Sequence, residues 1–272
     1  MSDGPSVAPL STAAPWDLVA AHYATDVLPM FEQFSRRALE LAGVVAGQSI
    51  VDVACGPGTL ARLAADLGAD VAAIDFSAAM IAELHRAASP AQAARITATV
   101  GDGTALAWPN AGFDAGFSMF GLMFFPDRAR GFAELARVLR PHALCVVSSW
   151  KSLDRVPVLA AAYDALEELL PGPKPPQRAM PLVDVATCRE EMTAGGFRDV
   201  EVVEFAGSAD VSSTSAFVAQ MERTNAPIAL AKQRLGDAWP AIAEQLRERV
   251  VARVGDGPQT ITMPANLIIG RR

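Results

Sequence analysis

The 272-residue sequence contains little cysteine and little histidine, with three residues of each type. The cysteines, Cys55, Cys145 and Cys188, are odd in number and far apart, and no CxxC pair or Cys/His cluster accompanies them. This spacing favours neither a disulfide framework nor a zinc site. We therefore expect reduced thiols, a cytoplasmic setting and no bound metal.

Basic residues are also in the minority, since 23 Lys and Arg stand against 30 Asp and Glu for a formal net charge of −7. An acidic chain is a poor match for phosphodiester backbones, so we expect no nucleic-acid partner. No run of 18 or more apolar residues is free of charges and turn formers, which predicts no membrane span. Residues 1–14 lack the basic segment and the apolar core of a signal peptide and are predicted to be a disordered lead-in.

Apolar side chains, by contrast, are abundant at 51% and recur with strand or helix periods. A helical pattern over residues 16–41 is divided by Pro29, which predicts two N-terminal helices. Short apolar runs then alternate with helical stripes in the order β-α-β-α-β-β-α-β. Such alternation predicts a parallel sheet with helices on both faces. The predicted strands of this half lie at 49–55, 69–77, 95–103, 112–120 and 143–150.

The second half adds further helices and two strands. Pro264 in the last strand, "QTITMPANLIIG", predicts an edge position or a bulge, and the proline-rich run 171–181 predicts a semi-rigid loop. The fold class expected is therefore α/β, a Rossmann-like doubly wound and mostly parallel seven-stranded sheet. We expect one domain over 15–272: lid helices (15–45), a cofactor-binding core (46–150), an inserted cap (151–183 and 208–257) and a last strand (258–272).

A glycine turn follows the first strand, where Gly56 to Ala61 fit the pattern G-x-G-x-x-A. Alone, this pattern is a weak dinucleotide signal and is shared by many tight turns. Asp52, Asp75 and Asp102, however, lie at the carboxyl ends of three successive predicted strands, where open α/β sheets bind ligands. Carboxylates around the turn suit a cation better than a pyrophosphate, which they repel.

Four segments carry a resemblance to a known family: "VDVACGPG", "AAIDFSAAMI", "GDGTALAWP", and "FDAGFSMFGLMFFPD" followed by "ELARVLRP". The sequence resembles the class I S-adenosylmethionine-dependent methyltransferases, in particular the small-molecule branch that includes the ubiquinone and menaquinone biosynthesis enzymes. The resemblance covers roughly residues 16–150 and weakens beyond them. Ala54 departs from it, because a glycine usually stands at that position of the first motif.

The resemblance implies S-adenosylmethionine as cofactor and S-adenosylhomocysteine as product. Asp52 would lie near the methionine amino group, Asp75 would accept from the ribose hydroxyls, and Asp102 with the Gly103 N–H would contact the adenine. The remaining implied contacts are backbone positions of the turn and side chains that border the methionine or the adenine. These are Ala54, Gly56, Gly58, Phe76, Met80, Phe120 and, from the N-terminal helix, Tyr23.

The acceptor pocket is expected between the N-terminal helices, the "MFGLMFFP" loop and the segment after Trp150. Its predicted lining is apolar, which predicts a hydrophobic small-molecule substrate. Candidate lining residues are Met123, Phe125, Trp150 and Met263. Of the three histidines, His22 in the predicted lid is the one placed to act as a general base, although a surface or packing role is the alternative for it.

The function predicted from these features is transfer of a methyl group to an apolar acceptor by in-line displacement, as O- or C-methylation, with proximity and orientation as the main source of rate. Two alternatives stay open. One is a protein of this fold that binds the cofactor without transferring methyl, and the other is an NAD(P)-dependent oxidoreductase. The sequence does not decide between a monomer and a homodimer.

Overall fold

Seven strands form one sheet in the computed structural model, which describes residues 8–170 and 180–272 apart from the side chains at positions 24 and 28. The strand order is β3-β2-β1-β4-β5-β7-β6. Strands β1 to β5 run parallel, whereas β7 is antiparallel to both of its neighbours. The predicted fold class is confirmed. The strands are β1 Ser49–Val53, β2 Asp70–Asp75, β3 Ile96–Val100, β4 Phe113–Ser118, β5 Leu139–Trp150, β6 Arg198–Val211 and β7 Gln259–Arg271.

The described ranges contain eleven α-helices, and the first two are separated at Val27, two residues before Pro29, as the sequence predicts. Two helices, α5 and α10, have no counterpart in the sequence prediction. In α10 the side chain of Asn225 caps the first turn by accepting from the Ile228 N–H, and Pro227 fits a first turn because no backbone donor is needed there. The helices are α1 Ala14–Asp26, α2 Leu28–Ala42, α3 Thr59–Asp66, α4 Ala78–Ala87, α5 Pro90–Ala93, α6 Arg128–Val138, α7 Pro157–Leu169, α8 Val185–Ala194, α9 Thr214–Thr224, α10 Ala226–Leu235 and α11 Trp239–Val254.

Both faces of the sheet are buried, as the packing of alternate residues of β1 shows. Ile50 packs in a core cluster with Leu60 of α3, whereas Val51 and Val53 pack on the opposite face in a cluster with Leu135 of α6. Strand β1 pairs with β2 on one side and with β4 on the other, so the order of the strands reverses at this point. Crevices at the carboxyl ends of such strands are where open α/β sheets bind ligands.

Two expectations about the ends of the chain need correction. The expectation of an edge position or a bulge at Pro264 is wrong, because β7 lies between β5 and β6 and the register of its ladders is regular at this residue. Pro264 lies opposite Ala206 in the ladder to β6, and its carbonyl accepts from the Lys151 N–H just beyond the end of the ladder to β5. The missing N–H therefore falls on the side of β5, at the point where that ladder stops. Within the predicted lead-in, Pro9–Ser11 form a short 3-10 helix. Most of the predicted proline-rich loop, residues 171–179, lies outside the described residues.

Helix α1 is held between the sheet domain and the C-terminal helices. Val19 and Ala20 pack in one cluster with Met80 of α4 and with Ala226 and Ala229 of α10. At the end of α1, Asp26 pairs with Arg223 of α9 at 3.0 Å. None of the helices in the two described ranges combines the length and the hydropathy of a membrane span.

The turn after β1 has an unusual backbone, because Ala54, Gly56 and Gly58 have positive φ angles of 56°, 53° and 77°. A non-glycine residue in this left-handed region is strained by about 1–2 kcal/mol. The Ala54 methyl group is accommodated by a glycine opposite it: a Cβ added at Gly121 would lie 2.3 Å from the Ala54 Cβ. The alanine at position 54 and the glycine at position 121 are therefore a matched pair.

We expect Gly121→Ala to lower the free energy of unfolding by about 1–3 kcal/mol, because the new methyl group overlaps that of Ala54. Ala54→Gly removes the overlap and should recover about 1 kcal/mol or more of that loss in the double variant. Denaturant unfolding of both single variants and the double variant measures this coupling. Strictly additive effects would show that the two methyl positions do not meet.

Candidate functional site

A cavity of about 420 Å³ opens at the carboxyl ends of β1, β2 and β3. Its walls come from the glycine turn, the ends of these strands, the loop after β4 and the helices α1 and α2. The structure thus brings together residues that are distant in sequence. Of the residues predicted from the sequence, those that line the cavity are Tyr23, Asp52, Ala54, Gly56, Asp75, Phe76, Met80, Asp102, Gly103, Phe120 and Phe125.

Asp75 at the end of β2 fixes the glycine turn. One of its carboxylate oxygens accepts from the Gly56 N–H at 2.8 Å, and the other accepts from the Ser77 N–H at 2.9 Å. Burial raises the pKa of Asp75 to about 6, and these two donors limit the rise. The Ser77 hydroxyl accepts from the Met80 N–H at the start of α4 and donates to the carboxylate of Asp17 in α1. The same corner therefore connects the turn, α4 and the N-terminal helix.

Gly58 supports the turn without lining the cavity. It precedes α3 with a φ angle of 77°, and a Cβ at this position would lie 2.4 Å from the Leu84 Cγ of α4. The glycine thus permits close packing of α3 against α4. The predicted backbone contact at Gly58 is not supported by the cavity, whose lining includes the neighbouring Pro57 and Thr59 instead.

Asp52 is the most unusual group of the cavity. Its side chain lies inside β1 and is only 1% exposed, and neither carboxylate oxygen has a hydrogen-bond partner among the described residues. Burial, together with the charge of Asp75, raises the pKa of Asp52 to about 7. The nearby Ala61 N–H lowers this pKa only in part. A buried carboxylate without a partner is costly, and a cationic ligand would compensate it.

Asp102 and Tyr23 complete the polar groups of the walls. Asp102 is exposed after β3, where its carboxylate accepts from the Thr104 N–H at 2.7 Å and from the Thr104 hydroxyl at 2.8 Å. Burial, together with the charge of Asp75, raises the pKa of the Tyr23 phenol, which therefore stays protonated. No Lys, Arg or His of the described chain lines the cavity. Its fixed charges are therefore of one sign.

Aromatic rings form the wall opposite the turn. Phe120 stacks on Trp150 with a centroid distance of 3.8 Å, and Phe31 packs on Phe120 in a T-shaped arrangement at 5.2 Å. Trp16 of α1 packs on Phe124 at 5.2 Å. This side of the cavity is apolar and is covered by the N-terminal helices.

Several predicted site residues lie elsewhere. His22 is on the exposed face of α1 and does not reach the cavity, because Tyr23 occupies the inward position next to it. Met123 is 1% exposed in the core beneath the loop. Trp150 stands behind Phe120, and Met263 packs on the C-terminal helical cluster. These placements follow from helix phase and from layers of packing that the sequence pattern does not define.

Sixteen residues that line the cavity were not among the predicted site residues, and six of them lie on the side of the N-terminal helices and the aromatic wall. Four are aromatic or apolar and two are serines, and their common signal is weak because apolar side chains in helices are usually core. The spacing of Phe31 and Ser35 was the available clue, since it puts a polar side chain on the apolar face of α2. The six are Ser11, Trp16, Phe31, Ser35, Met119 and Phe124.

Over the described residues, no group of three or more His, Cys, Asp and Glu is arranged to hold a metal ion.

Comparisons with known proteins give consistent results. A family profile described as "Methyltransferase domain" matches residues 50–142. A demethylmenaquinone methyltransferase from Renibacterium salmoninarum is 34% identical over 168 residues, which cover 60% of this chain and 69% of that protein.

Solved structures share the fold. The phosphoethanolamine N-methyltransferase 2 of Haemonchus contortus, in complex with phosphomonomethylethanolamine and S-adenosylhomocysteine, superposes with a TM-score of 0.54 at 18% identity and covers 88% of this chain and 52% of that one. The [4+2]-cyclase SpnF superposes with a TM-score of 0.54 at 18% identity, covering 89% of this chain and 81% of that one. The sheet order, the acidic cavity at the reversal point and the curated relative agree: the chain belongs to the class I S-adenosylmethionine-dependent methyltransferases.

Proposed function

We propose that the protein transfers a methyl group from S-adenosylmethionine to an apolar small-molecule acceptor of the quinone type. The observation that carries this proposal is the unpartnered, buried carboxylate of Asp52 in a cavity whose lining includes no Lys, Arg or His of the described chain. The cofactor brings an ammonium and a sulfonium and no phosphate, so its charges complement those of the cavity. The demethylmenaquinone methyltransferase among the relatives supports a quinone-type acceptor.

The residues present fit this cofactor. Asp52 would pair with its ammonium group, and the backbone at Ala54 and Gly56 would border its methionine end. Asp75 would accept from the ribose hydroxyls with lone pairs that its two backbone donors leave free. Phe76, at 38% exposure, offers an apolar surface at the mouth of the cavity. Met80, Asp102, Gly103, Phe120 and Tyr23 complete the proposed contact set.

The acceptor would bind against the aromatic wall. Trp16, Phe31, Phe124 and Phe125 line that side of the cavity, and a planar apolar ring packs well against such side chains. An acceptor that carries a carboxylate or phosphate would meet no positive side chain there within the described chain. Apolar aromatic acceptors are therefore favoured over anionic ones.

When bound, S-adenosylmethionine supplies a methyl group attached to a positively charged sulfur. The protein holds the two reactants in line and excludes water, which is worth roughly 7–11 kcal/mol of the barrier. Helices α1 and α2 close the cavity, and the aromatic side chains of Phe31, Phe120 and Tyr23 line it, where such rings would favour a positively charged ligand. His22 lies outside the cavity, so no histidine base takes part in this proposal.

One observation favours a second candidate. The [4+2]-cyclase SpnF has a similar fold, so this fold also occurs in a protein named for another reaction. The alternative for our chain is a protein that binds the cofactor without transferring methyl. A nicotinamide dinucleotide fits the cavity less well, because its pyrophosphate would approach Asp52 and Asp75.

Titration calorimetry tests the cofactor. We expect S-adenosylmethionine and S-adenosylhomocysteine to bind and NAD(P) not to bind. Asp75→Ala should weaken the binding of S-adenosylmethionine and of S-adenosylhomocysteine by on the order of 1.5–3 kcal/mol, since charged hydrogen bonds are lost and the Gly56 N–H loses its acceptor. Asp70→Ala, at the exposed start of the same strand, is the control and should leave affinity unchanged. Binding of NAD(P) alone would refute the cofactor assignment.

Asp52→Asn should change stability and binding in opposite directions. The pKa of Asp52 in the folded protein, about 7, exceeds its ordinary value of 3.8, so the folded state binds more protons and the free energy of unfolding falls as pH rises from about 4 to about 7. At pH 8 the variant should gain about 1–3 kcal/mol of stability while its affinity for S-adenosylmethionine falls tenfold or more.

Chemical unfolding at pH 5.5 and pH 8, together with calorimetry, measures both effects. Asp102→Asn is the matched control, because the Asp102 carboxylate is exposed in the same cavity. The free energy of unfolding of this variant should differ from that of the wild type by less than about 0.5 kcal/mol. An Asp52→Asn variant that is less stable than the wild type at pH 8 and binds equally well would contradict the role given to this carboxylate.

Transfer of label from methyl-labelled cofactor to a demethylated quinol tests the reaction. His22→Ala should change turnover by less than about tenfold, because the side chain lies outside the cavity. Phe124→Ala should raise the acceptor KM and leave cofactor affinity unchanged. Label that stays on the cofactor with every acceptor offered would favour the binding-only alternative, and a 100-fold loss in His22→Ala would restore a general base.

A further inference from the structure

The segment "ELARVLRP" (residues 134–141) takes no part in the site described above. It forms the last part of α6 and the start of β5. Leu135 and Ala136 pack in a core cluster, whereas Glu134 and Arg137 are charged and yet have side chains that are only 15% and 30% exposed. Charged side chains are rarely buried to this extent without partners, so their contacts indicate their role.

Every N–H group of the Arg137 guanidinium donates a hydrogen bond. Its Nε and Nη2 donate to the two oxygens of the Glu134 carboxylate at 2.8 and 2.7 Å. Its Nη1 and Nη2 also donate to the carbonyls of Trp108 and Leu106 at 2.8 and 2.7 Å, and Nη1 donates to Asn110 Oδ1 at 2.9 Å. These bonds occupy all the donors that a guanidinium has, so they fix its place relative to Glu134 and three loop residues.

Those three residues belong to the β3–β4 loop (residues 101–112), which contains no helix or strand. Backbone groups of such a loop need partners outside regular secondary structure. Glu134 accepts from the Leu106 N–H at 2.8 Å, and Arg130 donates from its Nε to the Thr104 carbonyl at 2.8 Å. Because residues 130, 134 and 137 share one face of a helix, this face of α6 holds the loop at several points of its backbone. The hydrogen bonds from Arg137 keep the pKa of Glu134 below its ordinary value, so the carboxylate stays charged at neutral pH.

The same loop supplies one wall of the cavity. Its first four residues, 101–104, line the cavity and include Asp102 and Gly103. There is little room for this wall to shift, because a Cβ added at Gly103 would lie 2.5 Å from Cζ of Phe125 in the loop after β4. The wall therefore needs a support that fixes its position, and the contacts with α6 provide one.

We propose that Arg137, together with Glu134, is a positioning residue for cofactor binding that holds the β3–β4 loop in the conformation in which Asp102 and Gly103 meet the adenine. The proposal rests on the proposed function, since it assumes that S-adenosylmethionine is bound. Neither Arg137 nor Glu134 lines the cavity, so both act through the loop. Without their bonds the loop has more conformations, and a ligand that must order it binds more weakly.

Calorimetry with two ligands tests the proposal. S-adenosylhomocysteine carries adenine, whereas S-inosylhomocysteine carries hypoxanthine, which has no exocyclic amine to donate to Asp102. We expect Arg137→Ala to raise the Kd of S-adenosylhomocysteine about 5- to 20-fold and that of S-inosylhomocysteine by about threefold or less, so the preference for adenine shrinks. In turnover assays the KM of the cofactor should rise and the KM of the acceptor should stay unchanged.

Arg128→Ala is the matched control. Arg128 lies in the same helix with its side chain 31% exposed, and it also binds a carboxylate through two bonds, to Glu191 of α8 at 2.8 and 2.7 Å. This pair does not involve the β3–β4 loop, so the variant should keep the Kd of both ligands.

Arg130→Ala is a second test that does not depend on how well Arg137→Ala folds, because Arg130 is exposed. It removes one bond to the loop, at the Thr104 carbonyl, and should raise the Kd of S-adenosylhomocysteine about 2- to 5-fold.

Hydrogen exchange in the ligand-free protein measures the loop itself. The Leu106 amide, which donates to Glu134, should exchange about tenfold faster or more in Arg137→Ala than in the wild type. The amides of β1 should keep their rates, and Arg128→Ala should leave the exchange of Leu106 unchanged.

The two proposals fail in different ways. A wild-type protein that does not bind S-adenosylhomocysteine at all refutes the proposed function. A wild-type protein that binds it, with Arg137→Ala binding it equally well, refutes only the role of Arg137, even if the loop exchanges faster. Equal rises in Kd for both ligands, or the same loss of affinity in Arg128→Ala, would also overturn the inference.

Discussion

The bond from the Gly56 N–H to the Asp75 carboxylate is the interaction on which the site depends. It joins the turn after β1 to the end of β2, and the same carboxylate accepts from Ser77, which orients α4 and contacts α1 through Asp17. Because the strand order reverses beside β1, this corner opens into a crevice rather than into packed core. The shape of the cavity is thus a consequence of strand order, and its rigidity a consequence of one buried carboxylate with two backbone donors.

The cavity concentrates negative charge, and this charge does not stabilise the ligand-free protein. Asp52 and Asp75 both have raised pKa values because burial removes water from their carboxylates, and Asp52 has no partner in the described chain to offset that loss. Stability and binding therefore place opposite demands on position 52. The unpartnered carboxylate of Asp52 marks the end of the cavity where a positively charged group of a ligand would be recognised.

Much of this was predictable from the sequence, and the failures have identifiable causes. The alternation of apolar runs defined the sheet, and the three aspartates after successive strands defined the cavity floor, because parallel strands end at one edge. Helix phase was harder: His22 and Tyr23 are adjacent, yet only Tyr23 points inward. How deeply a side chain is packed was harder still to predict, since Trp150 ends a strand next to the site but is separated from the cavity by Phe120. The spacing of Phe31 and Ser35 marked a polar position on an apolar helix face, but only the structure shows which cavity that face meets.

The sequence by itself determined the fold class, the glycine turn and the acidic character of the site, because strand period, turn chemistry and charge are local properties of the chain. Only the tertiary structure decided which aromatic rings form the wall, that β7 is an inner strand despite Pro264, and that the Asp52 carboxylate has no hydrogen-bond partner among the described residues. These features depend on what lies opposite each residue across the sheet, the turn or the helix interface. A pairing such as Ala54 with Gly121, distant in sequence and matched in volume, is settled only when the chain has folded.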